Sequence, residues 1–387
     1  MDASSPQATS RTAFALEPIP ANIIASNEIK RRDVNIDAGR LCVGCSEIDD
    51  QVLLGGFERG AVVGVSSEVE SFAVKLALQT LARGLHDGAL HNALIITPRP
   101  RAEVLLALRD ALTAALGTMT DANARKEAIR GYMDKIQLAG VFDMDGAWEA
   151  LAELDRPVPP PAVPTPEIDD SQDDDNDDGD EGAPSPDRSP DMIIITHTGV
   201  LLTSLFMHRS SSAAHTTWQL LSSHLRYLAR TLPSSPLIFL LNSTSSPEVE
   251  RGAHHTQPAQ VDQTQRSVFN PPTIPGYSTL LARRNKPTFG LVFAQMLDLH
   301  VLCTNVPRTV ADVERGPTGS TVTIVEVLLD DMGVWEKGRD GKDRNHREQR
   351  WGAVDLKEGH LVNAFGKREE KIYGDLRLAA GFGGPRV

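Results

Sequence analysis

The stretch Cys42–Ala82, CVGCSEIDDQVLLGGFERGAVVGVSSEVESFAVKLALQTLA, decides the fold. Its centre, Gly60–Ser66, is a short β-branched apolar run with glycines, which reads as a buried strand and the turn after it. Ser71 to Leu85 follows with Phe72, Leu76, Leu81 and Leu85 at helical spacing, closed by Asp87-Gly88. Working outward, ALIITP is a second buried strand, Glu103–Leu116 an amphipathic helix, KIQLAGVF a third strand and Gly146–Leu154 a helix. Further on, DMIIITHT and PLIFLLN are apolar strands around a helix over Thr216–Leu232. Strands apolar on both faces, separated by helices, predict a parallel sheet covered on both sides. TVTIVEVLL and AVDLKEGHLVNAF predict an antiparallel addition at one edge.

Composition narrows the function. The chain has 387 residues, 40% of them hydrophobic, enough for a substantial core. No run approaches the ~20 uncharged apolar residues of a membrane helix. No basic segment leading into an apolar one opens the chain, so no secretory signal is expected. Three cysteines give no disulfide framework, which fits a reducing compartment. The net charge of −13 is local: Glu167–Asp191 holds twelve acidic residues and one basic residue, leaving −2 for the rest. The surrounding Pro- and Asp-rich run is expected to be disordered, because it has too little apolar surface to offset its ordering entropy.

A P-loop, GxxxxGK[ST], joins a strand to a helix; its amides cradle phosphate, its lysine meets the outer phosphates and its hydroxyl holds magnesium. Here that position reads GVSSEVES, so Gly64 and Ser71 remain while Val69 and Glu70 replace the second glycine and the lysine. A glutamate facing a polyphosphate turns an attraction of about −4 kcal/mol per unit pair at ~4 Å into a repulsion of similar size.

At this point the chain resembles the RecA-type core of eukaryotic strand-exchange recombinases and their paralogues. Cys45, Asp49 or Asp50, Leu54, Gly55, Gly56 and Gly60 fall in the order of that family's "TGC…LD…LLGGG…G" opening. DMIIITHTGVL is similar to its Walker B strand, and SSHLRYLARTLPSSPLIFLLNST to its helix and "TNQ" strand, with Asn242 at the asparagine. KPTFGLVFAQMLDLHVLC is similar to its "ALG…W…TRL" segment. The resemblance implies an α/β, RecA-like P-loop fold with a mostly parallel central sheet, helices on both faces and a C-terminal antiparallel addition. The expected organisation is an N-terminal extension (1–40), a first core part (41–155), the acidic insert (156–190), a second core part (191–366) and a tail (367–387).

The same resemblance marks the losses. Arg99 stands at the family's catalytic glutamate, Thr196 at the Walker B aspartate and Ser243 after Asn242. The resemblance therefore implies a degenerate nucleotide site of Gly64, Val69, Glu70, Ser71, Arg99, Thr196 and Asn242, with no catalytic residue. No cofactor is expected, and weak ATP binding through backbone amides stays open. The family's DNA-facing loops map to Thr203–Thr216, with His208 and Arg209, and to Ser243–Lys286, with Arg283, Arg284 and Lys286. Lys337–Arg350 is a further basic run. Cys42-Val-Gly-Cys45 has a zinc-like spacing, with His254, His255 and His300 as potential partners, but no complete ligand set and no metal is expected. Asp330, Asp331 and Glu326 are expected to be exposed along a strand edge.

The function implied is that of a noncatalytic recombinase paralogue, nuclear, acting in DNA recombination and double-strand-break repair. It would assemble with RecA-type recombinase or other paralogues and reach single-stranded DNA directly or through the complex, with no membrane partner. The alternative is an Elongator-type inactive RecA-fold subunit of a transfer-RNA modification complex. A working ATPase with unusual ligands is a third reading.

Overall fold

The computed structural model describes residues 19–117, 119, 121–155, 189–245, 267, 269, 285–315, 318–332, 350–357 and 359–366. In chain order the elements are α1 (Ala21–Asp37), β1 (Val62–Ser67), α2 (Glu70–His86), β2 (Ala93–Thr97), α3 (Arg101–Ala115), α4 (Ala122–Met133), β3 (Ile136–Gly140) and α5 (Met144–Ala152). Then follow β4 (Met192–Ile195), α6 (Thr198–His208), α7 (Ser211–Thr231), β5 (Leu237–Ser245), β6 (Lys286–Pro287), α8 (Gly290–Ala294), β7 (Leu299–Pro307) and α9 (Val310–Arg315). The antiparallel strands β8 (Thr321–Asp330), β9 (Trp351–Lys357) and β10 (His360–Asn363) close the described chain.

The sheet runs β10-β9-β8-β7-β1-β5-β4-β2-β3, with β6 paired to β5. Its pairs from β7 through β1, β5, β4 and β2 to β3 are parallel. β8, β9 and β10 add antiparallel beside β7. This mostly parallel α/β sheet with its late antiparallel addition is the architecture expected from the sequence. The first core part supplies β1–β3 and the second inserts β4 and β5 between β1 and β2, so one sheet unites both sides of the insert.

Strand periodicity sorts the core into two layers. In β5, Leu237, Phe239 and Leu241 join α2 and α3 on one face. Ile238 and Leu240 point the other way, into a layer of α5, α6, α7 and α8. Leu76 and Leu81 of α2 and Leu225 and Leu228 of α7 are fully buried, at roughly 1.5–3 kcal/mol each for burial from water. Phe57 meets Phe239 edge-on at 4.9 Å, tying the glycine-rich approach to the central strand.

Some elements differ from expectation. The N-terminal extension contains α1, which buries none of its residues. It is held by polar contacts such as Asn35 Nδ2 donating to the Arg59 carbonyl at 3.0 Å. Its sequence has no apolar stripe to announce it. The segment expected as a loop over Thr203–Thr216 is mostly helix, the end of α6 and the start of α7 joined at Arg209 and Ser210. Leu205 before the junction and Ala214 after it are buried and anchor the two helices on the core. The disorder expected for the insert falls outside the described residues, as does the tail.

Candidate functional site

The strand-to-helix connection after β1 decides what this site is able to bind. β1 stays in parallel register through Ser67, opposite Ser243 of β5 and Cys303 of β7. α2 begins at Glu70, so only Glu68 and Val69 connect them. None of residues 64–71 has positive φ. A phosphate cradle needs successive amides curled around the anion, whereas extended strand amides turn alternately to the neighbouring strands. The expectation that Gly64 opens such a loop is corrected: it lies within β1. A Cβ there would stand 2.3 Å from Leu297 Cδ1 and 2.9 Å from Phe293 Cε1, so helix packing requires the glycine. Ser67 Oγ donates to the Val69 carbonyl at 2.8 Å, and the Asn305 amide donates to Glu68 Oε2 at 3.1 Å. Ser71 is exposed on α2.

Three of the predicted positions come together at the carboxyl ends of β1, β2 and β4. Glu70 is the first residue of α2, where its charge complements the positive end of the helix. Its Oε2 lies 3.5 Å from Arg99 Nη2 and 3.6 Å from His197 Nε2. Glu70 and Arg99, the two replacements read from the sequence, thus face each other as an ion pair. Thr196 donates to Thr97 Oγ1 at 2.8 Å, and Thr97 also accepts from the Arg99 amide at 3.1 Å. Thr97 and Thr196 thus form a buried pair of neutral hydroxyls.

His197 is the participant that sequence reasoning missed. It precedes α6 in a left-handed conformation, φ 53°, which turns its ring toward Glu70. Burial pushes its pKa below the ordinary histidine value, opposed by the Glu70 carboxylate. Only its place beside Thr196 could have drawn attention to it.

Asn242 belongs to a separate buried chain. Its Nδ2 donates to the Thr288 carbonyl at 2.9 Å and lies 3.4 Å from Ser66 Oγ, which meets His300 Nε2 at 2.9 Å. Burial drives the His300 pKa down to about 3. His300 is therefore sealed within the sheet, remote in role from any zinc site with Cys42 and Cys45. Those thiols go elsewhere, Cys42 to the Gly55 carbonyl at 3.8 Å and Cys45 to Asn363 Oδ1 at 3.0 Å. Among the described residues no group of three or more His, Cys, Asp or Glu is placed to hold a metal.

The basic candidates are dispersed. Arg209 is engaged within the fold, its Nη2 donating to both Asp145 carboxylate oxygens at 2.7 Å and its Nη1 to Thr217 Oγ1 at 2.8 Å. Lys286 is exposed on β6, opposite Ser245 at the end of β5. Arg283, Arg284 and most of the Lys337–Arg350 run lie outside the described residues. Arg350 pairs with Asp330, whose side chain is only 6% exposed. The expectation of exposed acids is corrected there, since the arginine compensates the desolvated carboxylate. Glu326 is also buried, on a strand covered by β7 and β9. Asp331 is exposed as expected.

No family model matches the chain, and no curated protein matches it. Among solved structures, the crystal structure of the RadB recombinase is similar at 12% identity and a TM-score of 0.48, over 84% of this chain and 100% of that one. A likeness of that size says nothing about activity.

Proposed function

We propose that this chain is a noncatalytic RecA-fold recombinase paralogue that acts by assembly in DNA recombination and double-strand-break repair. The carrying observation is the two-residue link between β1 and α2, with Glu70 paired to Arg99. Such a link offers no phosphate cradle, and the groups that would activate water and hold magnesium are an arginine and a threonine. What remains is a complete sheet with two helical layers, a platform for docking onto other RecA-type subunits. In this reading the partners are recombinase or paralogue proteins in the nucleus, and single-stranded DNA is reached directly or through them.

The test is affinity purification of the full chain under native conditions, followed by identification of the captured proteins. Capture of RecA-type recombinases or their paralogues, lost on their depletion, is the expected outcome. A stoichiometric heterohexamer that carries transfer RNA would overturn it in favour of the RNA-modification reading.

A further inference from the structure

α7 carries an outward stripe that its core face does not explain. Leu220, His224 and Tyr227 recur at helical spacing; Leu220 is 57% and Tyr227 47% exposed. Trp148 of α5 stacks on His224 at 5.1 Å, and His224 stacks on Tyr227 at 6.2 Å. The result is a ladder of three rings. His224 is half-buried between the two larger rings. The Tyr227 hydroxyl is 3.3 Å from Asp155 Oδ1, the last described residue before the insert.

The chain that leaves Asp155 has the composition such a ladder recognises. Pro157–Pro166 contains six prolines in ten residues. Proline-rich segments in the polyproline II conformation dock on stacked aromatics, and their carbonyls accept hydrogen bonds from ring N–H groups. The reach is sufficient. Tyr227 to Leu220 spans about 10 Å along the helix. Five polyproline II residues span about 15 Å, starting beside Tyr227.

We infer that the Trp148–His224–Tyr227 ladder and Leu220 form a docking groove for the chain's own Pro157–Pro166 segment. The tether favours this occupant over a free peptide, because a short linker supplies it at about millimolar effective concentration. The docked segment would fix where the acidic residues leave the fold.

The experiment uses the full chain, a variant lacking residues 157–166, and a synthetic peptide of residues 156–167. Intrinsic tryptophan fluorescence is followed during peptide titration, with Trp148→Phe assigning the signal. The deletion variant should bind the peptide saturably while the full chain, already occupied, shows no response. Tyr227→Ala in the deletion background should weaken binding about tenfold, the upper worth of one stacked ring. This substitution is at an exposed position, and an unchanged thermal midpoint verifies folding. A peptide with its prolines replaced by alanine should bind no better than background. Equal binding to the full chain and the deletion variant would overturn the internal assignment and mark the groove as open to other proteins. Absence of binding to either would remove the groove altogether.

Discussion

At the scale of single residues, Glu70 and Arg99 form an internal contact at the strand-to-helix connection. Glu70 and Arg99 are each partly exposed, so their pair is worth a few tenths to about 1 kcal/mol. Glu70→Lys or Arg99→Glu alone should lower stability by about that amount, and the doubly exchanged variant should recover most of it in urea denaturation. Additive losses would show that the two charges do not interact. Gly64 makes a sharper demand. Gly64→Ala should destabilise by about 1–3 kcal/mol through overlap with Leu297 and Phe293. A neutral result would mean that the Leu297 and Phe293 side chains yield freely.

His300 adds a pH dependence with a definite sign. Its folded pKa, about 3, is below the unfolded value near 6.5. Above pH 6.5 both states are neutral, and below it the unfolded chain takes up the proton. This contribution to stability is therefore present above that pH and lost as pH falls through the window from about 6.5 to 3, at up to about 1.4 kcal/mol per pH unit. Comparing wild type with His300→Gln by denaturation from pH 7.5 to 5 isolates it from His197. Parallel curves would contradict the assignment.

At the scale of elements, the paired apolar strands and the helices that cover them were legible because period-2 and period-3.6 burial write themselves into leucine, isoleucine and valine. β4 and β5 are buried on both faces, and their near-continuous apolar runs say so. α1 and α4 were not legible, since neither has a buried residue. The site was legible in part. Glu70, Arg99 and Thr196 stood out as replacements, yet their convergence depends on strand order, and His197 depends on a backbone dihedral that a histidine does not announce. The extension of β1 through Ser67 was missed because a serine pair reads as loop, although each serine here lies buried between β5 and β7. For α1, deletion of residues 1–37 should lower stability by about 1 kcal/mol or less, because polar edge contacts contribute little net. A loss of several kcal/mol would place α1 within the cooperative core.

At the scale of the whole molecule, one sheet draws on both halves of the chain, while the acidic insert holds most of the net charge. A near-neutral body gives no broad field for attracting nucleic acid, so DNA contact depends on local cations. If Arg283, Arg284 and Lys286 touch phosphate, their triple alanine variant, assembled with its partner, should flatten the log–log salt slope of single-stranded DNA binding by about two units. Identical slopes would exclude that cluster from the interface. The proposal that the Glu70–Arg99 pair leaves no nucleotide site is tested most directly by titrating the full chain with a fluorescent ATP analogue in magnesium, with hydrolysis followed in the same samples. No saturable binding and no turnover above background are expected, with Glu70→Lys unable to create turnover. Saturable binding with turnover that disappears in Ser71→Ala would contradict it.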